Sequence, residues 1–318
     1  MQRWVTRCWL FIPLLAGWIV LLGSESALPD DFTARRQTGG GGPRKLAPGV
    51  LTIISAHGRE QETFSGPQPI VELVADLPDD WTPHSAPKSQ TLAEMAKRVI
   101  FRREVWQLEF AFKPVRMIHV DLPQRDGRMQ RKLVWYLIYR VKNTGHHANP
   151  APREDEWGHK IFETQHVNHP IRFAPRFILE SEEHANAYLD RVIPLAIEPI
   201  RQREDPNTRL HNSVEISQVN VPVSTDQVQR SVWGVATWED IDPRIDFFSV
   251  DVKGLTNAYR WVDQPGAFKA GDPPGTGRRL MDKTLKLNFW RPGDEFRQHE
   301  GEIRYGIPGE VDHHWIYR

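Results

Sequence analysis

The sequence predicts a mainly β fold, organised as two β-sandwich (immunoglobulin-like) modules with a few short helices, after an N-terminal signal or anchor segment. Three observations lead there. Apolar residues recur at every second position in several stretches, the spacing that puts side chains on one face of a strand. Proline (25) and glycine (22) are frequent and scattered along the 318 residues, which favours short elements joined by turns over long helices. Residues 132–143 carry Leu133, Trp135, Leu137, Tyr139 and Val141 on one face and Val134, Tyr136 and Ile138 on the other. A strand apolar on both faces needs cover on both sides and belongs in the middle of a sheet.

Composition narrows the function classes. Basic and acidic residues balance at 41 each; subtracting Arg3, Arg7 and Glu25 with the first 26 residues leaves 39 against 40. That balance gives no electrostatic footprint for nucleic acid or for an anionic membrane surface. Cys8 is the sole cysteine, so the rest of the chain has no disulfide, thiolate nucleophile or cysteine-bound metal.

In chain order, residues 1–26 have the parts of an export signal: Arg3 and Arg7, an uncharged apolar run from Trp9 to Gly23, then Ser24-Glu25-Ser26. The run falls short of the roughly 20 apolar residues of a membrane span, so a cleaved signal is the first reading and a retained anchor the second. Either places the remainder outside the cytoplasm, in the periplasm, the cell envelope or the medium. Residues 27–46, with Gly39-Gly40-Gly41-Gly42-Pro43, read as a flexible tether.

Residues 47–145 form the expected first module. Strands are expected at 49–54 and 69–74. The spacing Thr91-Leu92-Ala93-Glu94 is that of a capping box and predicts a helix over 92–102, a candidate cover for the second face of 132–143. Strands at 105–112, 115–122 and 132–143 then read as a three-stranded meander, its second turn carrying Asp126-Gly127. Residues 146–212 read as a His/Pro-rich connection: an irregular insertion to Pro170, a strand at 171–179 interrupted by Pro175, a short helix capped by Ser181, and a segment at 191–203 that is either a broken helix or an extended edge. The second module, 213–318, is expected to hold strands at 214–223, 231–238, 245–253, 258–262 and 284–290, and a last one near Tyr317.

Candidate chemistry lies mostly outside those strands. The insertion holds His146, His147, His159, Glu163, His166 and His169, residue types that bind zinc, copper or nickel. Of these, His159, Glu163, His166 and His169 are the candidate ligands of a divalent transition metal, and no other cofactor is indicated. Glu239, Asp240, Asp242, Asp246 and Asp251 form an acidic cluster that suits paired-carboxylate chemistry if its members converge, and surface solvation if they do not. Trp81, Trp157 and Trp261 lie in or beside loops, where indole rings can stack on carbohydrate or cover core edges.

Residues 106–122, from Trp106-Gln107-Leu108-Glu109-Phe110 to Asp121-Leu122, run on through 131–143. With Gly254-Leu255-Thr256-Asn257-Ala258-Tyr259-Arg260-Trp261 and Leu287-Asn288-Phe289-Trp290-Arg291-Pro292-Gly293-Asp294, they resemble uncharacterised exported bacterial proteins. The resemblance implies export and supplies no catalytic residue.

Two functions follow as expectations. The first is a non-enzymatic exported cell-envelope protein whose β-sandwich modules bind an envelope protein or polysaccharide, touching membrane only through residues 1–26 if these are retained. The alternative is a metal- or carboxylate-dependent extracytoplasmic hydrolase built on the 146–169 insertion or the 240–251 acidic cluster. Both require export. A reporter enzyme fused after Leu46 is expected to be active outside the cytoplasm, and activity confined to the cytoplasm would overturn the topology.

Overall fold

The computed structural model describes residues 51–56, 60–66, 95, 99–269, 272–273, 275–293 and 302–318. Its early strands are β1 (Thr52–Ile54), β2 (Phe64–Ser65), β3 (Phe101–Arg102), β4 (Glu109–Phe112), β5 (Arg116–Pro123) and β6 (Met129–Lys142). There follow β7 (His147–Glu154), β8 (Lys160–Val167), β9 (Ile171–Arg172), β10 (Arg176–Ser181) and β11 (Ala187–Leu189), then helices α1 (Pro194–Glu204) and α2 (Ser213–Ile216). The remainder is β12 (Asn220–Val221), β13 (Ser231–Trp238), β14 (Phe247–Lys253), β15 (Tyr259–Asp263), β16 (Arg278–Trp290), β17 (Arg304–Tyr305) and β18 (His313–Tyr317). The fold is mainly β, as expected.

β6 is the two-sided strand, and both its faces are covered. Trp135, Leu137, Tyr139 and Val141 join a core shared with Phe177, Phe248, Leu287 and Phe289 of a second sheet. Val134, Tyr136 and Ile138 pack with Ile193, Ala196 and Ile200. The cover on that side is therefore α1 and not the helix expected at 92–102. Most of that expected helix lies outside the described residues, and its last two residues are β3. The 191–203 segment resolves as a helix because Pro194 sits in its first turn, where no amide partner is lost. Pro199 forgoes the bond to the carbonyl of Leu195, on the exposed side, while Ala196 and Ile200, four apart, face the sheet.

The expected meander is instead a hairpin. β4 and β5 both pair antiparallel with β6, Phe112 opposite Tyr139 and Arg116 opposite Tyr136. Four steps on one strand match three on the other, so Lys113-Pro114-Val115 is a bulge in one long strand. Proline, having no amide proton, is tolerated at such a point. The Asp126-Gly127 turn forms as expected: Gly127 takes φ +78° and donates to the Gln124 carbonyl at 3.0 Å.

Two sheets face one another. One has five strands, β1-β4-β6-β13 with β5 beside β6; the other has seven, β11-β10-β14-β16-β15 with β17 and β18 also on β16. Aromatic rings bridge the gap, Trp135 edge-on to Phe248 at 5.4 Å and Phe112 edge-on to Phe289 at 6.1 Å. The stretches assigned from sequence to separate modules, 47–145 and 213–318, share this sheet and this core. β13 from the later stretch pairs with β6 along its whole length, Ser231 opposite Lys142 to Trp238 opposite Trp135, and 44–318 is one compact unit.

The connection at 146–212 is more regular than its composition suggests. β7 and β8 form an antiparallel hairpin, His147 opposite Val167 to Glu154 opposite Lys160. Ser181 accepts from the amides of Glu183 and His184 in a tight turn joining β10 to β11, where a helix was expected. Asn212 accepts from Val214 and Glu215 in a capping box, so 213–216 is helical; of the expected 214–223 strand, 220–221 pair with β9 and Val223 forms a single bridge to Asn143.

Glu204, at the end of α1, ties the helix to the sheet. It accepts from the Tyr136 hydroxyl at 2.6 Å, from Lys113 at 3.0 Å and from Arg116 at 2.8 Å. Burial pushes its carboxyl up, but Tyr136, Lys113 and Arg116 together outweigh that and hold it below its ordinary 4.5. A carboxyl depressed on folding stabilises above its unfolded pKa and loses that contribution as pH falls through the folded value. Glu204→Gln is expected to cost about 3 kcal/mol in urea unfolding at neutral pH, since it leaves Lys113 buried without its anion. The gap to the unaltered chain should narrow as pH falls below 4.5. A gap that stays constant under acid would show that the carboxylate charge plays no part.

Candidate functional site

The seven-stranded sheet ends in a cleft of about 330 Å³. Its floor begins with β16, where Lys283, Leu285, Leu287 and Phe289 lie on one face by alternation. The last three are in the inter-sheet core, whereas Lys283 continues that face with a charge while remaining only 4% exposed. Register places Tyr317 of β18 opposite Lys283 and Arg260 of β15 opposite Met281, so Arg260 and Tyr317 share the Lys283 side.

The opposing wall comes from residues 60–65. A 3-10 turn at Glu60–Thr63 is closed by the Thr63 hydroxyl donating to the Glu60 carbonyl at 2.6 Å, and it leads into β2, which pairs with β3. That geometry buries Glu62. Lys283 Nζ lies 2.7 Å from Glu62 Oε1, and the Tyr317 hydroxyl donates to the same oxygen at 3.0 Å. Lys283 also donates to Gln107 Oε1 at 3.4 Å and lies 5.1 Å from the Trp315 ring centroid.

Aromatic rings and guanidinium groups alternate around the rest. Arg103 lies over Tyr259 at 3.9 Å and donates to the Tyr259 carbonyl at 2.6 Å. Arg260 lies over Tyr317 at 3.9 Å. Trp261 also lines the cleft and is braced edge-on by Phe101 at 4.8 Å. Burial, with the Glu62 charge next, raises the Tyr317 phenol above its ordinary value.

The histidines and acids picked out by sequence go elsewhere. His159 contacts Asp155 at 3.1 Å in the β7–β8 turn, and Glu163 accepts from Arg153 at 2.6 Å. His166 packs edge-on against His146 at 5.8 Å. His169 pairs with Glu104, whose hydrogen bond raises the imidazole above its ordinary value, while burial lowers His147. Among the described residues no group of three or more His, Cys, Asp or Glu side chains is placed to hold a metal ion.

The acidic cluster is likewise divided. Glu239 and Asp240 reach Lys132 at 3.5 and 3.0 Å, Asp242 meets Arg244 at 2.8 Å, and buried Asp251 meets Arg318 at 2.5 Å. Of the three loop tryptophans, Trp261 reaches the cleft, Trp157 stands 78% exposed at the β7–β8 turn, and Trp81 lies outside the described residues.

Sequence reasoning missed Glu62, Arg103, Arg260, Lys283, Trp315 and Tyr317 as a group. One signal was present: Lys283 occupies an apolar register position of β16, ahead of Leu285, Leu287 and Phe289. A charge in the inward register demands a buried partner. No protein-family model matches the chain, and neither characterised proteins nor solved structures give a match.

The Glu62–Lys283 pair is expected to act as a unit. Glu62→Gln should cost about 3 kcal/mol in chemical unfolding by stranding the Lys283 ammonium. Glu62→Leu combined with Lys283→Met should recover most of that loss. A double variant as unstable as the single one would mean that packing, and not charge pairing, holds the wall in place.

Proposed function

We propose that this chain is a non-enzymatic, exported cell-envelope protein that binds an envelope polysaccharide in the cleft formed by β15, β16, β18 and residues 60–65. The observation that carries this reading is the concentration of Tyr259, Trp261, Trp315 and Tyr317 around one concavity with polar groups between them. Arg103, Arg260 and Arg278 lie over one face of Tyr259, Tyr317 and Trp261 respectively. The remaining ring surface would offer apolar area to the C–H faces of sugars, and a few fixed donors would orient the hydroxyls. The N-terminal pattern of residues 1–26 supports export, and the Gly-rich stretch 39–42 supports a tethered module.

Binding is favoured over hydrolysis by what surrounds the carboxylates. Glu62 is the one acid among the described residues lining the cleft, and its oxygens are engaged by Lys283 and Tyr317. Hydrolysis by paired carboxylates needs a second acid across the scissile bond. The 146–169 histidines and the 240–251 acids, on which the hydrolase reading rested, form no metal-holding group among the described residues, and Asp240, Asp242 and Asp251 are paired with Lys132, Arg244 and Arg318.

Co-sedimentation of the purified full chain with insoluble cell-wall polysaccharide tests the reading. Retention is expected, with Trp261→Ala weakening it about tenfold, or about 1.4 kcal/mol, and Trp157→Ala leaving it unchanged. No retention, or retention indifferent to Trp261, would sink the proposal.

A further inference from the structure

The cleft carries more positive charge than it neutralises. Its described lining contains Arg103, Arg260 and Lys283 against Glu62 alone. Lys283 and Glu62 satisfy each other. Neither Arg103 nor Arg260 has a carboxylate partner among the described residues. Other cations at comparable places in the fold do: Lys113 and Arg116 on Glu204, Arg140 on Glu109, Arg278 on Asp263 and Lys253 on Asp282. Arg103 also keeps its Nε buried with no hydrogen-bond partner. Arg103 is partly buried, and a partly desolvated cation without a counter-charge carries a cost that an anion arriving from outside would relieve; Arg260 is exposed and adds charge without that cost.

The way the two guanidinium groups are held favours an anion as well. Each lies over a ring, Arg103 on Tyr259 and Arg260 on Tyr317, both at 3.9 Å. Stacking uses the face of a guanidinium and leaves its N–H groups in plane. Arg103 spends one on the Tyr259 carbonyl at 2.6 Å and one on Ser65 Oγ at 3.5 Å, so an oxyanion would take the second N–H of each terminal nitrogen, two parallel hydrogen bonds. Arg103 is fixed further through the Tyr259 carbonyl, so little side-chain freedom remains to be lost on binding. Within a concave site partly closed to water, such charges act more strongly than they would on an open surface.

We infer that the cleft selects an acidic saccharide, with Arg103 and Arg260 receiving its carboxylate or phosphate while the neighbouring rings carry the sugar. The inference rests on the saccharide-binding reading above and specifies which saccharides it covers. Carboxylate and phosphate share the required oxyanion chemistry, and separate ligands distinguish them.

The test is titration calorimetry of the purified full chain with three probes: a hexuronic acid tetrasaccharide, the neutral hexose tetrasaccharide of the same linkage, and that neutral tetrasaccharide phosphorylated on its terminal sugar. One or both acidic probes should bind at least about tenfold more tightly than the neutral one, and whichever does identifies the oxyanion. The preference should shrink as ionic strength rises. Arg260→Met keeps an apolar stem over Tyr317 at an exposed position and should weaken the acidic probes far more than the neutral one, so that the preference is lost. Arg103→Met should act in the same direction. Equal binding of acidic and neutral probes, still dependent on Trp261, would overturn the inference while leaving saccharide binding intact. A preference that survives both substitutions would also overturn it. Failure of all three probes to bind would remove the saccharide reading and this inference with it.

Discussion

A strand that is apolar on both faces has to be covered twice, and the rest of this structure follows from how β6 meets that demand. One face is taken by the second sheet, through Trp135, Leu137, Tyr139 and Val141; the other is taken by α1 over Val134, Tyr136 and Ile138. Each fully buried side chain of this size is worth roughly 1.5–3 kcal/mol relative to exposure, so leaving either face open would forfeit several such terms. The same demand brings β13, remote in sequence, onto the strand's free edge. Gly234 of β13 lies opposite Tyr139, and a side chain there would overlap the Tyr139 ring. The glycine is set by the ring across the strand and not by any turn.

Covering β6 twice creates a second problem, because each layer ends in charged groups that have to be buried with it. On the helix side, Glu204 collects Lys113, Arg116 and the Tyr136 hydroxyl. Between the sheets, Lys283 is held by Glu62. Asp251 of β14 is fully buried; desolvation pushes its carboxyl up, and Arg318 pulls it back only in part. Such pairs add little net stability beyond what apolar residues would give, but removing one partner is costly. Their effect is therefore to fix which surfaces meet. Lys113 sits in the bulge that divides β4 from β5, so the ion pair and the bend are located by the same residues.

The hub strands were legible in the sequence because alternation reports burial directly. Residues 132–143, 231–238 and 284–290 show it, and all three are strands in the structure, β16 beginning earlier than its apolar pattern because its first residues are largely exposed. What was not legible depended on partners far along the chain. The 146–170 stretch reads as irregular because Pro150 and Pro152 fall inside β7, yet prolines are compatible with a strand bonded along one edge, and a two-stranded hairpin leaves each strand an open edge. The strand expected at 214–223 rests on its β-branched residues, whereas in the structure the Asn212 capping box starts a helical turn there. The pairing of β13 with β6 across the 146–212 connection joins strands remote in sequence, which alternation alone does not report. The candidate site was the least legible part, since Glu62 and Tyr317 lie 255 positions apart and meet only because both reach Lys283.

The inward face of β16 joins these threads. From Phe289 through Leu287 and Leu285 it is core; at Lys283 the same register continues, burial persists and the chemistry changes. The change of character is imposed by neighbours, since Tyr317 stands opposite Lys283 and Glu62 approaches from the other side. The cleft is thus the polar end of the inter-sheet core, held open by charged and aromatic groups where aliphatic ones would have closed it. Filling that end with leucine would have met the packing requirement at lower electrostatic cost. The ion pair, stacked guanidinium groups and four aromatic rings at that end are the features on which the proposed binding function rests.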